Sequence, residues 1–197
     1  MDSDQLLLST IMDRGARLQP DNTIVTMCEN GYHETTYAQH QQDVYKVAQA
    51  LQKFGVQFGE CVGTFMWNNS RHFACYHAVP SMGAVLHTIN IRLSTEQLKY
   101  IINHANDTII FVDADMLPQL EAVDADALAN VRLFVIFPTC SSCSRSDLPA
   151  PFRCLRNPLA RSCPEYHLRK HWRAHPPLGK VEQGNYLLGK FFNRISF

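Results

Sequence analysis

The 197-residue sequence has no apolar run close to the roughly 18 residues that cross a bilayer, so no membrane-spanning helix is expected. A secretory leader is not expected either: Asp2 and Asp4 sit where basic residues belong, and the apolar run in "MDSDQLLLSTIMDRG" is too short. Glycine is scarce. There are nine, and no two lie closer than four residues apart, which argues against a glycine-rich loop wrapping its N–H groups around phosphates. Gly55, Gly59 and Gly63 do repeat at fours, but no apolar span surrounds them, so a membrane-helix dimer motif is set aside. Cys28, Cys61 and Cys75 stand singly in apolar or strand-like contexts, where a reduced, buried thiol is the expectation. Together these features point to a cytoplasmic protein.

Charge of one sign is also missing from the total, yet it is unevenly placed. Residues 138–197 hold ten Lys/Arg against Asp147, Glu165 and Glu182, a balance of +7, and the first 137 residues therefore carry −7. Seven of the ten prolines and four of the seven cysteines also fall after residue 137, where no sustained period of 2 or 3.6 survives. Two compositions meet in one chain.

What is present before that boundary is well patterned. Gln5–Leu18 is a modest helix candidate with Leu7, Ile11 and Leu18 inward. "TIVTMCENGYHETTY" alternates apolar and polar residues on either side of Asn30-Gly31, a dipeptide suited to a tight hairpin turn. Thr36 then caps a helix, with Gln39 as reciprocal partner, and Tyr37, Val44, Val47, Ala48 and Leu51 share a face that Gly55 terminates. From Cys61 the order is strand, helix (about Ser70 to Met82, ended near Pro80), strand, helix, strand. In "GAVLHTINIRLSTEQLKYIINHANDTIIFVD" the strand Val85–His87 and the strand Thr108–Val112 flank a helix opened by Ser94, with Leu98, Ile101, Ile102 and Ala105 on its buried face. That reads as a β-α-β unit with a parallel pair of buried strands. A short helix at Leu117–Val123 and a strand "RLFVIF" follow. The fold class is α/β, with a β-hairpin and mostly parallel β-α-β layers.

The stretch from Thr35 to Asp113 resembles the N-terminal part of the adenylate-forming (AMP-dependent) ligases, nearest to the medium- and long-chain fatty-acyl-CoA synthetases. Its most specific portion is "WNNSRHFACYHAVPSMGAVLHTINIRLS", and the likeness extends from about Leu6 to Phe137. Ile91, Ser81 and Glu60 depart from the family's usual proline, glycine and aspartate. The resemblance implies a truncated N-terminal domain over residues 1–137, a part in dimer contacts, and a family reaction in which a carboxylate attacks the ATP α-phosphate before CoA displaces AMP. Such chemistry needs phosphate-holding N–H groups, a lysine, Mg²⁺ and a ribose-holding aspartate. The family carries these beyond the matching stretch, and nothing like "SGTTGxPKG" occurs in this chain. The resemblance thus assigns ATP, Mg²⁺ and CoA to the family, no bound cofactor to this chain, and no catalytic residue to any matching position.

His72, His77, His87 and His104 invite a metal site, but no carboxylate or thiol at ligand spacing supports them, so hydrogen-bonded, partly buried histidines are expected. His33 and His40 read as surface residues. In the tail, Cys140, Cys143, Cys163 and His167 have the spacing of a Cys₃His zinc site, with Cys154, His171 and His175 as further donors. "HLRKHWRAH" also interleaves Arg with one Trp in a way that suits nucleic acid. Against both, the residues that shape a zinc knuckle are not evident. Crowded Pro, Ser, Cys and Arg also mark a shifted reading frame or retained intron. The expectation is therefore an irregular tail over 138–197, no metal, no nucleic acid, and partners limited to a second copy or a full-length synthetase.

Overall fold

The computed structural model describes residues 7–28, 31–137 and 153–156. Helix α1 (Leu8–Leu18) leads into a hairpin of β1 (Thr23–Cys28) and β2 (Gly31–Thr36), then α2 (Tyr37–Lys53). Next come β3 (Cys61–Phe65), α3 (Ser70–Ser81), β4 (Val85–Thr88), α4 (Thr95–Ala105) and β5 (Ile109–Asp113). A 3₁₀ turn at Ala114–Met116, α5 (Leu117–Glu121), a second 3₁₀ turn at Ala125–Leu128, β6 (Leu133–Phe137) and β7 (Arg153–Arg156) complete the set.

The caps form as the residue types dictate. Thr36 accepts from the Gln39 N–H while the Gln39 side chain accepts from the Thr36 N–H, and Ser94 with Gln97 repeats the arrangement on α4. Each such cap is worth about 1 kcal/mol. Gly55 takes φ +77° after α2, and Asn106 takes φ 56° after α4, the left-handed stop in both cases.

Strands β1 and β2 form a separate antiparallel sheet, and the others form a five-stranded sheet in the order β4-β3-β5-β6-β7. In that sheet β3 pairs in parallel with β4 and β5, and β5 with β6. Three expectations change here. The strands β4 and β5 are not neighbours, because β3 lies between them and α4 carries the chain across it. Being at the edge, β4 is not buried on both faces: Val85 is 49% exposed. And residues 153–156 of the tail add an antiparallel strand to β6, with Cys154 opposite Val135, so regular structure does not stop at residue 137.

The core lies on both faces of this sheet. Ile109 and Phe111 of β5 face one cluster with Leu51, Val62, Cys75, Val79 and Val135; Ile110 and Val112 face the other with Phe65, Leu98, Ile102, Leu120 and Val131. So α2 and α3 cover one face, and α4 and α5 the other. The period-2 alternation of a strand explains how one uniformly apolar segment serves two cores. Each large aliphatic so buried contributes roughly 1.5–3 kcal/mol.

Two local expectations are rotated. Helix α1 buries Met12 and Ala16, and Met12 packs with Val44, Ala74 and Ala78, whereas Ile11 and Leu18 are exposed. In the hairpin, Cys28 pairs with Gly31, so the connecting positions are 29 and 30, outside the described residues, and Gly31 begins a strand.

Candidate functional site

The chain leaves β3 through α3 on one face of the sheet and leaves β5 through α5 on the other. The carboxyl ends of β3 and β5 therefore flank a topological switch point, the position where open α/β sheets hold ligands. Here the loop from Met66 to Asn69 meets Asp113 at the end of β5. Asp113 is 3% exposed. Its Oδ2 accepts from the Trp67 N–H at 2.9 Å and from the Asn69 amide at 3.2 Å, while Oδ1 has no hydrogen-bond partner. Burial raises the carboxyl to about pKa 6, against the lowering effect of those hydrogen bonds and of the Arg71 charge. Beside it, the Trp67 indole donates to Asp115 at 2.6 Å, and Arg71 sits 5.6 Å from the centre of the Phe137 ring.

The amino end of α3 opens onto the same place and would attract an anion if its donors were free. Two of them are engaged: the Ser70 N–H donates to Thr26 Oγ1 at 3.0 Å, and the His72 N–H to Asn69 Oδ1 at 3.0 Å. Next to them stands a buried carboxyl, that of Asp113, whose Oδ1 has no hydrogen-bond partner. The corner offers an unpartnered acceptor oxygen, which suits a hydrogen-bond donor and not a triphosphate.

The histidines resolve into structural roles. His72 is buried and bridges Thr64 Oγ1 at 2.9 Å and the Trp67 carbonyl at 3.2 Å, and burial lowers its pKa. His40 is not on the surface as expected. It is buried between α2 and α3, stacks on Phe73 and meets His77 Nδ1 at 3.1 Å, one nitrogen donating and the other accepting. Burial first, and then His77, lower it to about pKa 4. His33 is half-buried, with its Nε2 unpartnered. His87 does have a carboxylate, supplied from 20 residues away: its Nδ1 lies 2.8 Å from Asp107 Oδ2. Asp107 is fully buried. The Asp107 hydrogen bond raises the His87 pKa, while burial raises that of Asp107 more than His87 lowers it. The pair sits over Gly63, and no sequence spacing announces it. His104 stacks on Tyr100 at 5.6 Å.

No group of three or more His, Cys, Asp or Glu suited to a metal occurs among the described residues. The sequence-derived zinc set, Cys140, Cys143, Cys163 and His167, with His171 and His175, lies outside them. The Cys28 thiol donates to the Thr26 carbonyl at 3.9 Å, Cys61 and Cys75 are free thiols, and burial pushes Cys75 up to about pKa 12. No described helix is long and apolar enough to cross a membrane.

Comparison with known proteins assigns this α/β arrangement to a family. Residues 12–148 match the family model for the AMP-binding enzymes. The chain belongs to the AMP-binding enzyme family. It is 39% identical over 137 residues to a long-chain-fatty-acid–CoA ligase of Thermus thermophilus and, to the same degree, to a 3-methylmercaptopropionyl-CoA ligase of Ruegeria lacuscaerulensis, covering 69% of this chain and 25% of each relative. A medium-chain-fatty-acid–CoA ligase of Ectopseudomonas oleovorans is 31% identical over 147 residues, 74% of this chain and 27% of that one. The chain spans about a quarter of the length of these relatives. Among solved structures, the N-terminal domain of FACL13 from Mycobacterium tuberculosis superposes with a TM-score of 0.61 at 17% identity, over 75% of this chain and 39% of that one. This last likeness shows the fold.

Proposed function

We propose that residues 1–137 are scaffold layers of a fatty-acyl-CoA ligase domain, and that this chain by itself does not adenylate carboxylic acids. The family reaction joins a fatty acid to CoA with conversion of ATP to AMP and pyrophosphate; ATP, Mg²⁺ and CoA belong to that reaction, not to these residues. One observation carries the proposal. At the switch point, where a nucleotide would be sought, the Ser70 and His72 N–H groups at the start of α3 are held by Thr26 and Asn69, and a buried carboxyl stands beside them. The sequence supports it, since no glycine cluster able to cradle phosphates occurs in the 197 residues. A cytoplasmic location and a tail over 138–197 without a metal complete the proposal.

The test is ATP–pyrophosphate exchange with octanoate or palmitate and the purified chain. Exchange at background is expected. Turnover above background, proportional to protein and lost on heat denaturation, would refute the proposal.

A further inference from the structure

We propose that residues 153–156 of the tail are a guard strand: they close an edge of β6 that would otherwise pair with the same edge of a second copy of this chain.

Strand β6 invites such pairing. Its sequence, "LFVIF", is apolar throughout and contains no charge, proline or glycine. An extended segment of that kind, left with a row of unpaired N–H and C=O groups, is a template onto which another strand adds. One side of β6 is taken by β5, with Leu133 opposite Ile109 and Ile136 opposite Val112. On the other side lies β7, with Arg156 opposite Leu133 and Arg153 opposite Ile136. That pairing makes β6 an interior strand and moves the edge of the sheet out to β7.

The composition of β7 suits an edge as poorly as possible for further growth. It is four residues long, and two of the four are Arg153 and Arg156. In the sequence Pro151 and Pro158 bound it on either side. Proline gives no N–H to a neighbouring strand, and arginines on two approaching copies repel, so a further strand finds little to pair with. Among the described residues nothing pairs with the outer edge of β7.

The guard is also placed to win against a second copy. Only the 15 residues 138–152 separate β6 from β7. A tether of that length keeps β7 at an effective concentration on the order of millimolar, well above a second chain at micromolar levels. The opposite net charges of residues 1–137 and 138–197, −7 and +7, favour the same docking. β7 is the one antiparallel strand in a sheet whose other pairs are parallel, so it needs no covered crossover to reach its place.

The experiment compares the full 197-residue chain, in reducing buffer, with its Cys154→Pro/Leu155→Pro double variant. Successive residues of a strand point their N–H groups to opposite sides, so one of the two prolines removes a donor to β6 whichever way β7 is set. Amide hydrogen exchange over Leu133–Phe137 and mass in solution are read together. In the variant, β6 should exchange at least about tenfold faster, and dimers or larger species that the native chain does not form should appear. A synthetic peptide of residues 151–158 should reverse both effects. Retained protection of β3 and β5 shows that the variant folds. If it does not fold, the native chain decides: exchange should be slow at every residue of β6 and fast at alternate residues of β4, the open edge. The proposal is overturned by a folded variant whose β6 exchange is unchanged, by one that exposes β6 yet associates no more than the native chain, by a peptide without effect on either, or by alternating fast exchange in β6 of the native chain.

Discussion

Replacing Asp113 by asparagine tests the electrostatics of the switch-point corner through its dependence on pH. The carboxyl is raised from 3.8 to about 6 in the folded protein, chiefly by burial. A carboxyl whose folded pKa exceeds its unfolded value favours the folded state in its protonated form. Its contribution is therefore fully present below about pH 3.8 and is lost as pH rises through about 6. The displacement of about two units corresponds to about 3 kcal/mol at 1.36 kcal/mol per unit, of which roughly 2 kcal/mol falls between pH 4 and pH 7. Asparagine keeps an acceptor for the Trp67 N–H and has no charge to desolvate. The difference in unfolding free energy between the Asp113→Asn variant and the native sequence should therefore move in favour of the variant by about 2 kcal/mol from pH 4 to pH 7. Urea unfolding followed by circular dichroism at several pH values measures it. Other titrating groups cancel in the difference, and so does the fixed cost of the new amide. A difference that stays constant across the range would refute the assignment of a desolvated carboxyl at this position.

Three further outcomes are expected. His87→Gln should destabilise the protein more at pH 5.5 than at pH 8.5: the Asp107 hydrogen bond raises the His87 pKa, so the charged pair stabilises below about 6.5 and fades as pH passes the raised value; unfolding midpoints at the two pH values decide. Gly63→Ala should cost about 1–3 kcal/mol by chemical denaturation, because a Cβ there would lie 3.1–3.2 Å from Ile110, Asp107 and Ile89. Cys75, fully buried with its thiol pushed up to about pKa 12, should react with Ellman's reagent only at the rate of unfolding, so labelling in the native state would contradict its placement.

Much of the fold is legible in the residues because local chemistry acts locally. Thr36 with Gln39 and Ser94 with Gln97 bond within one turn, and Gly55 and Asn106 adopt left-handed stops that few other residues tolerate. These features, with the helical spacing of Leu98 and Ile102, needed no tertiary information. Where two faces compete, the pattern misleads. On α1, Leu7, Ile11 and Leu18 look like the buried stripe, but Met12 and Ala16 occupy it, since the pocket formed by Val44, Ala74 and Ala78 sets the rotation. His40 looked like a surface residue because its neighbours on α2 are polar; Phe73 and His77 of α3 enclose it.

The sequence by itself determined the α/β class, the caps and stops, the apolar strands and the family, because each depends on residues near in the chain or on wording shared with relatives. The tertiary structure alone decided that β3 separates β4 from β5, that His87 meets Asp107, that Asp113 is enclosed beside Trp67 and Asn69, and that residues 153–156 join β6. These are contacts between segments about 15 to 50 residues apart. Their formation depends on how helices crossing the sheet order its strands, and no local period of apolar and polar residues encodes that order.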